Sequence, residues 1–225
     1  MKRFILTVGP ALLHEVPLSI IHDSRNIYRI NGAHGEISDI EGFIQEIRRQ
    51  EPDADILLDL PGNKVRTKDL PGGSIELKAG REFTIPSKCF NYADFYKHLL
   101  PGMTAWANDS IFEFEVISAN EKEIVLLSKS NGTLINNKGV HVRGIHNQIP
   151  YLFEKDRQLI ELANKWELSY VGLSFVRNAE NVKESKALVD DKTEIITKIE
   201  TLDAVDNINE ILPLTNYILI DRGDL

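Results

Sequence analysis

With 225 residues, 42% of them hydrophobic and 27% charged, the chain has the composition of a soluble globular protein with one large domain, or one domain carrying an inserted second. Its 34 acidic and 26 basic side chains leave a net charge of −8, which argues against general affinity for nucleic acid or anionic membranes, though not against a local cationic cluster around a phosphorylated substrate. A single cysteine, Cys89, excludes an internal disulfide, and the apolar run near Met1 is too short for a signal peptide, so a cytoplasmic protein is expected.

Phe4–Val8 reads as a short buried strand stopping at Gly9-Pro10, and Leu13, Val16 and Ile20 then keep helical spacing. Asn26–Ile30 predicts a second strand, broken by Asn31-Gly32. Ile40, Phe43, Ile44 and Ile47 share one helical face, and Asp55–Asp59 predicts a third strand ending at Pro61-Gly62. Such a βαβαβ rhythm implies parallel strands joined by right-handed crossovers.

From Lys68 to Arg143 the period changes to two. Ser74–Lys78, Ile111–Val116 and Glu123–Leu127 alternate, with turn signals at Gly72-Gly73, Pro101-Gly102 and Asn131-Gly132. An antiparallel β unit, folded as a small barrel, is expected there. After Pro150 the helix–strand rhythm returns. Leu159, Leu162, Ala163 and Trp166 form a helical stripe before a strand over Ser169–Phe175, and two further helix–strand units reach Lys198-Ile-Glu200 and Tyr217–Asp221. The fold class read from this is α/β: a TIM-type parallel barrel with six strands counted in the sequence and an antiparallel β-barrel cap, or lid, inserted after the third. Residues 1–67 hold the first three barrel strands, 68–143 the lid, and 144–225 the other three.

Chemistry in such barrels sits at the carboxyl ends of the strands. Lys198 and Glu200 fall at one strand end, and Asp221-Arg-Gly-Asp224 follows the next, which is read as buried. Two acids and a lysine on neighbouring strand ends suggest a divalent cation beside a fixed positive charge. Taken alone, a Lys-x-Glu pair is more often a rim ion pair than a catalytic one. The six histidines have no metal-site spacing, Cys89 reads as a small, partly buried residue, and Phe90, Tyr92, Phe95 and Tyr96 read as packing within the lid.

Eight segments together carry a resemblance. They are Thr7-Val-Gly-Pro10, Arg29-Ile-Asn-Gly-Ala-His-Gly35, Asp59 through Thr67, Asn131 through Val140, Ile149 through Asp156, Ser174-Phe-Val-Arg177, Thr197-Lys-Ile-Glu200 and Asp221-Arg-Gly-Asp-Leu225. In order and spacing they resemble pyruvate kinase over nearly the whole chain. The resemblance implies a (β/α)8 barrel with a β lid after its third strand. It also implies Mg²⁺-dependent phosphoryl transfer from phosphoenolpyruvate to ADP, giving pyruvate and ATP in glycolysis, with Mn²⁺ as a substitute metal.

Residue by residue, the resemblance makes Arg29 a contact to the transferring phosphoryl group and Lys198 the cation that stabilises that group and the enolate. Glu200 and Asp224 become the Mg²⁺ carboxylates, with Gly223 and Asp224 also meeting substrate. Asn31, His34, Arg66 and Lys138 become nucleotide contacts, Lys138 arriving from the lid. Asn31 and Asp59 match the monovalent-cation site, but Ala33 and Leu60 replace two of its oxygen ligands, and Pro61-Gly-Asn63 departs from the usual loop. Lys64 stands where potassium-dependent members carry glutamate, so its ammonium is expected to replace K⁺. Strands seven and eight are not in the sequence, which implies self-association or a partner chain completing the barrel. Two other readings stay open: a non-catalytic or altered-function relative that binds phosphate or enolpyruvate ligands, and a Mg²⁺-dependent lyase acting on pyruvate or an oxo acid.

Overall fold

The computed structural model describes residues 3–10, 17–21 and 23–221. In chain order the first elements are β1 (Phe4–Thr7), β2 (Asn26–Asn31), α1 (Ile37–Gln50) and β3 (Asp55–Asp59). Leu13 and Val16 of the expected first helix lie outside the described residues, and Leu18–Ile20 form a short 3-10 turn. Helix α1 starts where the Asp39 carboxylate accepts from the Glu36 N–H at 2.8 Å, and its apolar stripe buries Ile40, Ile44 and Ile47. Next come β4 (Ser74–Leu77), β5 (Glu82–Pro86), β6 (Thr104–Ala107), β7 (Phe112–Ala119), β8 (Glu123–Ser128), β9 (Gly132–Ile135) and β10 (Val140–Val142). The chain continues through α2 (Glu154–Lys165), β11 (Tyr170–Leu173), α3 (Ala179–Lys186), β12 (Glu194–Ile199), α4 (Leu202–Asp206), α5 (Ile208–Ile211) and β13 (Tyr217–Ile220).

The chain gathers into two compact units, one of residues 1–62 with 154–225, the other of residues 63–153. In the first, six strands form one sheet in the order β1-β2-β3-β11-β12-β13. Every neighbouring pair is parallel. Strands that neighbour in sequence order also neighbour in space, with the inserted unit interrupting between β3 and β11. This is an incomplete α/β barrel sheet with an inserted β domain. Its central strands are apolar and buried on both faces, as a parallel sheet covered by helices requires.

The outer strands differ from expectation. Their apolar runs predict burial, yet Phe4 and Ile5 on β1 are 50% and 41% exposed, and Tyr217 and Ile220 on β13 are 47% and 64% exposed. Each has one hydrogen-bonded neighbour strand among the described residues. The apolar composition is that of an inner strand, while the exposure is that of an edge.

The second unit is antiparallel, with a five-stranded sheet in the order β10-β6-β7-β8-β5 and a two-stranded sheet of β4 and β9. Phe112, Phe114 and Val116 alternate inward along β7 and join Phe90, Phe95, Leu126 and Leu134 in one core. The segments flanking the expected lid gather with it. Val65 before it, and Ile145 and Phe153 after it, are buried in this core, so the unit extends beyond residues 68–143 at both ends. Cys89 is fully buried here, its thiol donating to the Asp69 carbonyl at 3.2 Å. Among the described residues no helix is long and apolar enough to cross a membrane.

Candidate active site at the strand ends

Strand β3 ends on Asp59, which is 3% exposed. Register places it beside Asn31 of β2 and Gly172 of β11. A β-carbon on Gly172 would lie 2.9 Å from Asp59 Oδ1, and one on Gly32 would lie 2.8 Å from the Asp59 carbonyl oxygen. Glycine at 172 therefore lets β11 close on this carboxylate, and glycine at 32 lets the chain after β2 close on the Asp59 backbone.

Two side chains reach Asp59, one from the adjacent strand β2 and one from β12, two strands away. Arg29 donates to Asp59 Oδ2 through Nε at 2.8 Å and Nη2 at 2.5 Å, while its Nη1 reaches Thr7 Oγ1 of β1 at 2.9 Å. Lys198, the penultimate residue of β12, is 8% exposed. Its Nζ lies 2.6 Å from Glu200 Oε1, 3.6 Å from Asp59 Oδ2 and 3.7 Å from Asp221 Oδ2. It also donates to Ser174 Oγ at 3.1 Å. Glu200 Oε2 accepts the Phe175 N–H at 2.8 Å. Burial alone would lower the Lys198 pKa, but Asp59, Glu200 and Asp221 outweigh it and hold the ammonium above the usual lysine value.

Arg29 and Lys198 thus share a largely buried setting with three carboxylates. Two cations against three carboxylates leave this cluster close to charge balance, with one negative charge in surplus. Among the described residues no group of three or more His, Cys, Asp or Glu is arranged to hold a metal ion. Of the two expected Mg²⁺ carboxylates, Glu200 is described, while Asp224 and its neighbour Gly223 lie outside the described residues.

Asn31 and His34 line a cleft of about 880 Å³ with Thr7, Val8, Pro10 and Asp39. Asn31 Oδ1 accepts the Ala33 N–H at 3.0 Å, which ties down the bend after β2. The remaining expected site residues belong to the second unit. There Arg66 forms a β-bridge with Gly139, and its guanidinium donates to the Asn137 carbonyl at 3.3 Å. The Thr67 N–H donates to the Lys138 carbonyl at 2.9 Å, and the Lys138 N–H donates back to Thr67 Oγ1 at 3.0 Å. The backbone segments carrying Arg66 and Lys138 are therefore paired, from opposite ends of the insertion. Lys64 Nζ lies 3.9 Å from Asp109 Oδ1 in the same unit. Within the barrel unit, the ammonium beside Asp59 is that of Lys198.

Three contributors escaped the sequence reading as site residues. Ser174 and Phe175 figured only as part of a motif, and Asp221 only as a strand-end acid. Phe175 has a φ of +53°, a conformation a bulky residue rarely adopts, and nothing in its identity signals it.

A parallel α/β barrel sheet with an inserted β unit, carrying arginine, lysine and carboxylates near its strand ends, defines an α/β barrel protein whose charged groups lie where such barrels keep their chemistry. Comparison with known proteins narrows this. The family model for the pyruvate kinase barrel domain matches residues 1–225, and the chain belongs to the pyruvate kinase family. It is 32% identical over 243 residues to the pyruvate kinase of Clostridium perfringens, covering 99% of this chain and 51% of that protein. With the pyruvate kinase of Thermotoga maritima it shares 30% identity over 241 residues, covering 99% of this chain and 52% of the relative. The crystal structure of Cryptosporidium parvum pyruvate kinase superposes with a TM-score of 0.85 at 27% identity, covering all of this chain and 52% of that one. The chain spans about half the length of these relatives.

Proposed function

We propose that the strand-end cluster serves phosphoryl transfer from phosphoenolpyruvate to ADP, giving pyruvate and ATP. The observation that carries this is the Lys198 ammonium, 8% exposed beside Glu200, Asp59 and Asp221. Phosphoryl transfer is catalysed mainly by positioning and by stabilising charge on the phosphate oxygens. A buried, permanently charged lysine at a strand end is suited to that task. In this reading Lys198 stabilises the phosphoryl group and the enolate, and Arg29 contacts the phosphoryl oxygens. Asn31 and His34, lining their cleft, and Arg66 and Lys138, on paired segments of the inserted unit, bind nucleotide. Glu200 and Asp224 would hold Mg²⁺ or Mn²⁺, which would neutralise phosphate charge when bound. Lys64 supplies the positive charge that K⁺ supplies elsewhere, because Ala33 and Leu60 offer no side-chain oxygen.

A cytoplasmic protein acting on these small molecules is the setting that fits. Among the described residues β1 and β13 each pair with one strand, and their exposed apolar side chains mark where further parallel strands would dock, from the same polypeptide or a second one. A second reading is a relative that binds enolpyruvate or phosphate ligands at the same cluster without turnover. Calorimetric titration with phosphoenolpyruvate in the presence of Mg²⁺ tests what both readings share. Saturable binding that weakens in Glu200→Gln and is lost in Lys198→Met is expected. Equal affinity in all three proteins would refute the assignment.

A further inference from the structure

Ser174 directly follows β11 and is 4% exposed. Its hydroxyl accepts from Lys198 Nζ at 3.1 Å and lies 3.4 Å from Asp59 Oδ1, to which it donates. The ammonium meets Glu200 Oε1 at 2.6 Å, while Asp59 and Asp221 stand off at 3.6 and 3.7 Å. Two short contacts therefore orient Lys198, one to an anion and one to a neutral hydroxyl. The turn holding Ser174 is tightly set. A β-carbon on Gly62 would lie 2.9 Å from the Ser174 carbonyl oxygen, and the left-handed Phe175 aims its N–H at Glu200 Oε2, 2.8 Å away. Residues 174 and 175 thus hold both members of the Lys198–Glu200 pair.

We propose that Ser174 is a positioning residue: its hydroxyl fixes the direction of the Lys198 ammonium without neutralising it, leaving the third N–H for a phosphoryl oxygen. With the hydroxyl gone, the ammonium would be free to swing between Asp59 and Asp221, whose oxygens are nearly equidistant from it. The catalytic meaning of this rests on the phosphoryl-transfer reading above. The contact itself does not, and the two are tested separately.

The chain labelled with ¹⁵N at its lysine side chains gives an ammonium signal for Lys198, assigned by its absence in Lys198→Arg. Ser174→Ala should speed hydrogen exchange of that ammonium by about tenfold, the scale of one hydrogen bond to a charged group. Ser174→Thr, which keeps the hydroxyl, should restore slow exchange. In turnover of phosphoenolpyruvate and ADP, Ser174→Ala should lower kcat by about tenfold while KM changes less than about twofold, since the lost contact orients a group that acts in the transition state. Should Ser174→Ala fail to fold, Ser174→Cys offers nearly the same shape with a weaker hydrogen-bonding group. Unchanged ammonium exchange in a folded Ser174 variant lacking the hydroxyl, or no restoration by threonine, would overturn the proposal. Absence of turnover in the native chain would count against the functional reading alone, with the ammonium signal still deciding the role of Ser174.

Discussion

Replacing Lys198 by methionine removes the ammonium and nearly preserves the volume. The Lys198, Asp59 and Glu200 side chains are 10%, 5% and 0% exposed, so the charges left behind are poorly solvated. Removing one partner of a buried ion pair costs about 3–5 kcal/mol. Asp59 keeps both Arg29 contacts, and Glu200 keeps the Phe175 N–H, which places this case near the lower end. With a urea slope of about 1–3 kcal/mol/M, a loss of about 3 kcal/mol moves the unfolding midpoint down by at least about 1 M. Adding Glu200→Gln to Lys198→Met should recover part of that loss, because the uncompensated buried charge goes with it. Urea unfolding followed by circular dichroism reads both numbers. A Lys198→Met midpoint within about 0.3 M of the native one, or a double variant less stable than Lys198→Met alone, would refute a buried charge cluster held together by this lysine.

Gly172→Ala should place its β-carbon against Asp59 and destabilise by about 1–3 kcal/mol, a loss of several degrees in Tm by calorimetry; an unchanged Tm would contradict the close approach of β11 to Asp59. His141, partly desolvated and facing Lys64 and Arg143, with Asp109 opposing them, should titrate below 6.5 by NMR. A folded-state pKa below the unfolded one gives stability that is present above pH about 6.5 and lost as pH falls through the folded value, so His141→Gln should flatten this part of the acid limb. Any turnover should be the same in Na⁺ and K⁺ at constant ionic strength, and Lys64→Glu should cripple it; a strong requirement for K⁺ would overturn the ammonium-for-potassium reading.

Much of the candidate site was legible because the runs that specify strands stop at the residues that carry charge. Asp59, Lys198 and Glu200 are marked by ending apolar segments, and the structure joins them with Arg29. The left-handed turn at Phe175 left no trace in the sequence, since glycine would have announced it and phenylalanine does not. Ser174 was hidden with it. The exposure of β1 and β13 was also illegible, because apolar residues define a strand but its neighbours decide whether water reaches it. The borders of the inserted unit were blurred for a related reason. Val65, Ile145 and Phe153 lie outside the alternating segments and join the lid core only through tertiary packing.

The measurement that bears most directly on the account is pyruvate formation from phosphoenolpyruvate by the 225-residue chain, with ADP and Mg²⁺ supplied or withheld, beside Lys198→Met. Pyruvate should form only when both ADP and the metal are present. Lys198→Met should lower the rate by about 100-fold or more, the scale of losing one charge-stabilising group from an active site. Formation independent of ADP, or equal rates in the native chain and Lys198→Met, would contradict phosphoryl transfer at this cluster.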